Sequence, residues 1–221
     1  MSDIEEASIT LDKYFNQRII IYNKLKNELI NCKDNDEQLY CDTLLIFLYA
    51  QLEGFVTDIL LYYLELINCK KLSIKNVIPE ICASSISNQF DSYDEHVKNN
   101  GLSKYAGRLK FIKKIETYLE SKVDLPANLI NTKNNLKQNV LEDLMIKLGF
   151  DKSRYSKIGN ILDNFVNERN AIAHGNNNRT KLTIKKYETF EKLIIYDIMK
   201  DLKDLIFEAV EKELYLVANT N

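Results

Sequence analysis

The chain has 221 residues, of which 45% are apolar and 28% are charged, with a formal net charge of −2. This length and composition allow a sizeable core and a soluble, charged surface in one large domain or two small ones. Only six glycines and two prolines occur, which is too few turn-forming residues for an all-β fold and favours long helices.

Two helices are predicted in the first third of the chain. Apolar residues recur at steps of three and four over residues 7–31, which is the spacing of one helix face. A second helix is predicted over 36–68, with an apolar face broad enough for a central helix. Gly54 costs about 1 kcal/mol inside a helix unless a neighbour approaches closely. Glu53 needs a partner, because a carboxylate in an apolar setting is seldom left unpaired.

The middle of the chain is less regular. Pro79 and the run Asn99-Asn100-Gly101 indicate turns, so residues 69–101 are predicted to be irregular with short helical pieces around 75–90. A helix is predicted over 103–121.

Three more helices are predicted over 134–148, 157–173 and 184–216. Gly149 is expected just after the end of the first, and Thr183 is expected to cap the start of the last. With no internal repeat and no low-complexity linker, these elements predict one all-α domain.

Three features predict a cytoplasmic location. The N-terminus is acidic and lacks the basic and apolar segments of an export signal. The apolar stretch Thr43 to Ile67 is interrupted by polar and charged residues, so we expect a buried core helix and no membrane contact. The four cysteines show no C-x-x-C spacing and are predicted to be reduced thiols, with neither a disulfide framework nor a zinc site.

Basic residues concentrate in the middle of the chain, where residues 98–157 carry 13 basic and 6 acidic side chains. A local basic excess can attract phosphate while the total charge stays near zero, although solvated helix faces explain it equally well. Tyr105 and Tyr155 lie among these residues and are candidates for stacking on exposed bases. The basic residues expected to hold RNA are Lys104, Arg108, Lys110, Lys113, Lys114, Arg154 and Lys157.

The sequence ERNAIAHG at residues 168–175 ends the predicted helix 157–173 and carries the side chains best suited to chemistry. Asn170 and His174 are four apart and share a helix face. Arg169 and His174 are five apart, so Arg169 lies on a neighbouring face unless the last turn relaxes, which Gly175 makes plausible.

These residue types suit cleavage of a phosphodiester bond in RNA. RNA supplies its own nucleophile, the 2′-hydroxyl group, so an enzyme need only move protons and stabilise charge on the phosphoryl oxygens. Histidine suits the proton transfer, arginine suits the phosphate, and Asn170 can orient the imidazole or donate to phosphate. This chemistry requires no metal. One histidine cannot easily be both base and acid, and a symmetric dimer supplies two.

A structural interpretation is also open. His174 and Gly175 can simply cap a helix, and Arg169 can pair with Glu53 inside a structural helical dimer. His96 lies in a polar stretch and is predicted to be a surface residue.

Residues 169–174, Arg-Asn-Ala-Ile-Ala-His, resemble the R-x4-H signature of the HEPN superfamily, whose all-α domains are often metal-independent ribonucleases of toxin–antitoxin, abortive-infection and related defence systems. Three further stretches resemble the family: Asp163 to Glu168, Leu48 to Phe55, and Asn135 to Phe150, the last as in stand-alone bacterial HEPN nucleases.

The resemblance implies a single HEPN-like domain over 1–221 and a role for each matching residue. His174 would be catalytic, Arg169 would contact the scissile phosphate or place the histidine, and Asn170 would fill the polar position after the arginine. Glu53 would brace Arg169. Asn176 departs from HEPN toxins that are paired with nucleotidyltransferase antitoxins, which carry tyrosine there, and this argues against that antitoxin.

The sequence therefore predicts a metal-independent, cofactor-free endoribonuclease that acts as a homodimer on RNA, with an antitoxin or defence-system partner. The alternative is a non-catalytic HEPN module that binds RNA, nucleotide or a protein partner.

Overall fold

The computed structural model describes residues 3–90, 104–176 and 179–217. His96 and the turn at 99–101 lie outside these ranges, as does the side chain of Lys104. The predicted all-α class is confirmed, since the described ranges contain no strand beyond two isolated β-bridges. The helices are α1 (Asp3–Glu28), α2 (Ile30–Asn35), α3 (Glu37–Cys69), α4 (Pro79–Ser85), α5 (Lys104–Ile112), α6 (Ile115–Glu120), α7 (Gln138–Lys147), α8 (Gly159–Ala173), α9 (Ile184–Lys192) and α10 (Asp201–Glu211).

Helix α3 is the centre of the fold. It packs against α1, α2, α8, α9 and α10, and nearly half of its residues are fully buried. It is long and apolar enough to cross a membrane, but more than half of its most apolar window is buried within the protein. These contacts explain the broad apolar face of the sequence, because each side of the helix meets a different neighbour.

Gly54 in α3 is explained by a side chain from α1. A β-carbon at this position would lie 2.6 Å from Nη2 of Arg18. The guanidinium lies against the bare helix backbone there and donates from Nη2 to Oδ2 of Asp58 at 2.7 Å. The close approach expected from a mid-helix glycine is therefore present, and it serves an ion pair between α1 and α3.

Helix ends follow local signals where those signals are strong. Gly149 has φ +79° just after α7, and the Thr183 hydroxyl accepts a hydrogen bond from the Lys186 amide at 3.3 Å. The last helical stretch continues through a π-helical turn, Leu193–Lys200, that joins α9 to α10. It ends at Glu211 and not at 216, because the chain turns back there and Tyr215 accepts from the Ile78 amide at 3.0 Å.

The connection from α6 to α7 runs along the side of α3. Asn68 binds both the amide and the carbonyl of Leu125, at 2.8 and 3.0 Å. Seven residues later, Thr132 donates to Oε1 of Glu53 at 2.7 Å. Fifteen residues of α3 separate these two attachments, about 22 Å of helix rise, and the connection between them includes one 3-10 turn, Ala127–Leu129. It delivers residues 131–136 to the middle of α3.

Candidate functional site

Helix α8 packs on α3, and its last turn lies beside Tyr49 in the first half of α3. Leu162, Phe165 and Val166 recur at steps of three and one and are fully buried. The Phe165 ring lies 6.2 Å from the Tyr49 ring, measured between centroids. Because these apolar residues fix how α8 is rotated, Arg169 one turn later is directed at Tyr49.

The guanidinium of Arg169 lies on the face of the Tyr49 ring, with Cζ 3.5 Å from the ring centroid. Its Nη1 donates to Oδ1 of Asn170 at 2.9 Å, and its Nη2 donates to the carbonyl of Asn134 at 3.1 Å. The buried Nε has no hydrogen-bond partner among the described residues. Burial raises the pKa of the Tyr49 phenol, which keeps the ring neutral beneath the cation.

The expected ion pair between Arg169 and Glu53 is wrong. No carboxylate lies within ion-pair distance of Arg169 in the described ranges, and Glu53 binds the Thr132 hydroxyl instead. The physical reason is that the Tyr49 ring, one helical turn before Glu53, occupies the face of the guanidinium. Glu53 supports the site through the 131–136 loop and not by contact with the arginine.

The 131–136 loop joins α3 and α8 at the site. Nδ2 of Asn170 donates to Oδ1 of Asn135 at 3.0 Å, and the Leu136 amide donates to the Tyr49 hydroxyl at 3.0 Å. Two consecutive residues, Lys133 and Asn134, have φ values of 55° and 52°. This loop was not predicted to be part of the site. Its run of asparagines indicates a tight turn, since asparagine tolerates positive φ, but not its contact with a helix some 35 residues later.

His174 ends α8 and is exposed. The Gly175 amide bonds to the Ile172 carbonyl and the Asn176 amide to the Ala171 carbonyl, both at 3.0 Å, with Gly175 at φ +64°. This is a Schellman cap, and it keeps the helix regular through its last turn. The imidazole has no hydrogen-bond partner among the described residues. Arg169 does not reach back toward it, because its two hydrogen bonds go to the Asn170 side chain and to the Asn134 carbonyl of the loop.

Tyr155 is buried, so the prediction that it stacks on exposed bases is wrong, whereas Arg154 is exposed but has its guanidinium paired with a carboxylate. Arg154 donates from Nε and Nη2 to both oxygens of Asp201, at 2.7 and 2.8 Å. The buried Tyr155 hydroxyl donates to the same carboxylate at 2.9 Å. Burial acts to raise the pKa of Asp201, but these hydrogen bonds outweigh it and lower that pKa.

The other basic residues are exposed but are not gathered around Arg169 within one chain. The segment that carries α5 and α6 attaches at the far end of α3, where Lys75 pairs with Glu120 at 2.9 Å. That attachment is roughly 30 Å of helix rise from Tyr49. Tyr105, on α5, is 72% exposed. The remaining predicted RNA-binding residues with exposed side chains are Arg108, Lys110, Lys113, Lys114 and Lys157.

The cysteines and acidic residues form no further site. All four cysteines are free thiols, and burial raises the pKa of Cys41 to about 11. Within the described part of the chain, no three His, Cys, Asp or Glu side chains are grouped so that they could hold a metal ion.

The all-α fold, with an R-x4-H sequence in the last turn of a helix packed on a central helix, defines the class as a HEPN domain. The family described as RiboL-PSP-HEPN matches residues 12–208, which extend from α1 into α10. The chain therefore belongs to this HEPN family. Comparison with curated proteins and with solved structures gives no match.

Proposed function

We propose that the protein is a metal-independent endoribonuclease of HEPN type that acts in the cytoplasm as a homodimer. One observation carries the proposal. Among the described residues, the guanidinium of Arg169 contacts only neutral groups, and the same end of α8 presents the exposed imidazole of His174, which has no hydrogen-bond partner there. A fixed positive charge that no carboxylate neutralises is what a phosphodiester needs, and a free imidazole is what a proton transfer needs.

The reaction follows from these two groups. One imidazole removes the proton from a 2′-hydroxyl, and the 2′-oxygen attacks the adjacent phosphorus. The bond from phosphorus to the 5′-oxygen breaks, and a second, protonated imidazole gives its proton to that oxygen. The products are a 2′,3′-cyclic phosphate and a 5′-hydroxyl. Arg169 stabilises the charge that builds on the phosphoryl oxygens.

Self-association supplies the second imidazole. Leu39 and Ile46 are 54% and 39% exposed and lie seven residues apart, two turns along one face of α3. This half of α3 lies beside the end of α8. Arg169 in the last turn of α8 stacks on Tyr49, and Arg179, which follows α8, pairs with Asp42. A second copy packed on this face brings two α8 ends together in a symmetric pair.

The test is cleavage of total RNA by the purified protein in EDTA. Wild type is expected to cut and to leave cyclic-phosphate ends, which mass spectrometry detects. His174→Ala is expected to lose cleavage, and His96→Ala, which removes the other histidine, is the matched control. Cutting by His174→Ala at the wild-type rate contradicts the proposal. RNA binding without cleavage by wild type favours the non-catalytic HEPN module.

Mixed dimers test the sharing of histidines. When wild type and His174→Ala are refolded together, activity should fall with the square of the wild-type fraction if each cleavage needs both histidines. A linear fall indicates that one histidine suffices. An active nuclease of this kind also needs a neutralising antitoxin or defence-system partner, and co-purification from the native host identifies it.

A further inference from the structure

We propose that Asn135 is a positioning residue of this site, which sets the side-chain orientation of Asn170 and, through it, the guanidinium of Arg169. The inference rests on the proposed ribonuclease function and adds to it a residue outside the R-x4-H sequence. Asn135 lies on the 131–136 loop, 35 residues before Asn170, and its Oδ1 accepts from Nδ2 of Asn170 at 3.0 Å.

Hydrogen-bond chemistry fixes the direction of this chain of contacts. Arginine has donors and no acceptor, so the atom of Asn170 that faces Nη1 of Arg169 must be its oxygen. The amide nitrogen of Asn170 must then point the other way, toward Asn135, and Asn135 must present its oxygen. Without that acceptor, the Asn170 amide can turn its donor toward the guanidinium, which repels it.

The loop is rigid enough to impose this orientation. The Asn135 amide bonds to the Thr132 carbonyl at 3.0 Å, and the Lys133 amide bonds to Oδ1 of Asn131 at 2.8 Å. The backbone amide of Leu136 donates to the Tyr49 hydroxyl. The loop is therefore held by the same side chain on whose ring Arg169 stacks. The Asn134 carbonyl then takes the second hydrogen bond from the guanidinium. Ring, loop carbonyl and Asn170 oxygen together define one position for the charge.

Steady-state kinetics on a short RNA is the first test. Asn135→Ala is expected to lower kcat about tenfold with KM within about twofold, because the charge is misplaced in the transition state. Asn135→Asp keeps an acceptor oxygen, so it is expected to hold kcat within about threefold. It should raise KM, because its negative charge opposes the phosphate. The Asn135→Ala loss should fall below about twofold in an Asn170→Ala background.

The matched control is Asn68→Ala. Asn68 also ties the α6–α7 connection to α3 by two side-chain hydrogen bonds, but at the other end of that connection. The Asn68→Ala substitution is expected to leave kcat unchanged. The proposal is overturned if Asn68→Ala lowers kcat as much as Asn135→Ala does. It is also overturned if the Asn135→Ala loss persists in full in the Asn170→Ala background.

A measurement that needs no enzyme activity separates this inference from the proposed function. The side-chain amide of Asn170 and the Nε–H of Arg169 should give distinct NMR signals in wild type. Asn135→Ala is expected to shift both, whereas Asn68→Ala is not. An inactive wild type with these shifts contradicts the ribonuclease and keeps the positioning role. Unchanged signals in Asn135→Ala contradict the positioning role whatever the activity.

Discussion

Two arginines lie near the two ends of α8, one paired with a carboxylate and the other with neutral groups. Arg154, just before the helix, has both oxygens of Asp201 as partners, and Arg169, in its last turn, has a ring, a carbonyl and an amide. Each also has a tyrosine beside it. Tyr155 donates to the carboxylate that neutralises Arg154, whereas Tyr49 is a neutral phenol whose ring face lies against Arg169. The comparison teaches that the partner, and not the residue type, decides whether a positive charge is available to a ligand.

The same rule separates Arg169 from two other arginines. Arg18 pairs with Asp58, and Arg179 pairs with Asp42. These pairs join elements distant in sequence, so their role is to hold the fold together. Arg169 joins α8 to a loop through neutral groups, and among the described residues no carboxylate compensates its positive charge. The predictions below test this difference, from the largest expected effect to the smallest.

The largest effect is expected on RNA cleavage. Arg169→Ala should lower kcat by about 10² to 10³, because it removes a fixed charge from a developing oxyanion. Arg154→Ala should keep kcat within about twofold of wild type, because the positive charge of Arg154 is already neutralised by Asp201. Cleavage rates of the two variants on one RNA substrate make the comparison. Equal losses in both variants would remove the distinction between the two ends of α8.

The cap at the C-terminal end of α8 should be sensitive to a methyl group. Gly175→Ala is expected to destabilise the protein by about 1–2 kcal/mol, since φ is +64° there and a left-handed alanine carries that cost. A β-carbon at this position would meet no atom within 4 Å, so the cost is conformational and not steric. Gly175→Asn should lose less stability than Gly175→Ala, because asparagine tolerates the left-handed backbone region. Urea unfolding measures both variants, and an unchanged midpoint for Gly175→Ala argues against the cap.

The ion pair between Arg154 and Asp201, near the start of α8, should lose its contribution to stability in acid. The folded-state pKa of Asp201 is lowered, so its pair with Arg154 stabilises the fold above the ordinary carboxyl pKa near 3.8 and is lost as the pH falls through the folded value. This contribution is roughly 1 kcal/mol, because the pair is partly exposed. Urea midpoints at pH 7 and pH 3 should therefore differ more for wild type than for Asp201→Asn. The same acid sensitivity in both proteins would show that the pair contributes nothing.

The smallest effect is expected at Gly54. Gly54→Ala gains about 1 kcal/mol of helix propensity but displaces Arg18, whose pair with Asp58 contributes up to about 1 kcal/mol. The net change in unfolding free energy should lie within roughly 0.5 kcal/mol, and Arg18→Ala combined with Gly54→Ala should be more stable than Arg18→Ala alone. Urea unfolding of the three variants measures this coupling. Strong destabilisation in Gly54→Ala would mean that the guanidinium cannot move.

Local features of the sequence predicted the helix ends that carry a cap, but not the end of the last helix at Glu211. Gly149 and Thr183 lie at the predicted helix boundaries, because a cap depends on residues within one turn of it. The Schellman cap at Gly175 likewise ends α8 at Ala173, the last residue of the predicted helix. The two ion-pair and stacking predictions that failed, Glu53 with Arg169 and Tyr155 with exposed bases, both depended on how distant elements pack.

The sequence by itself determined an all-α chain and placed Arg169, Asn170 and His174 in the last turn of a helix, because helix period and capping are short-range properties. Only the tertiary structure decided that Arg154 is neutralised, that Arg169 is not, and that the 131–136 loop holds the site together. The first requires Arg154 to meet Asp201, and the other two require Tyr49, Asn135 and Arg169 to meet, although as many as 120 residues separate them. Such meetings are set by the packing of α8 and the loop on α3, which no local pattern encodes.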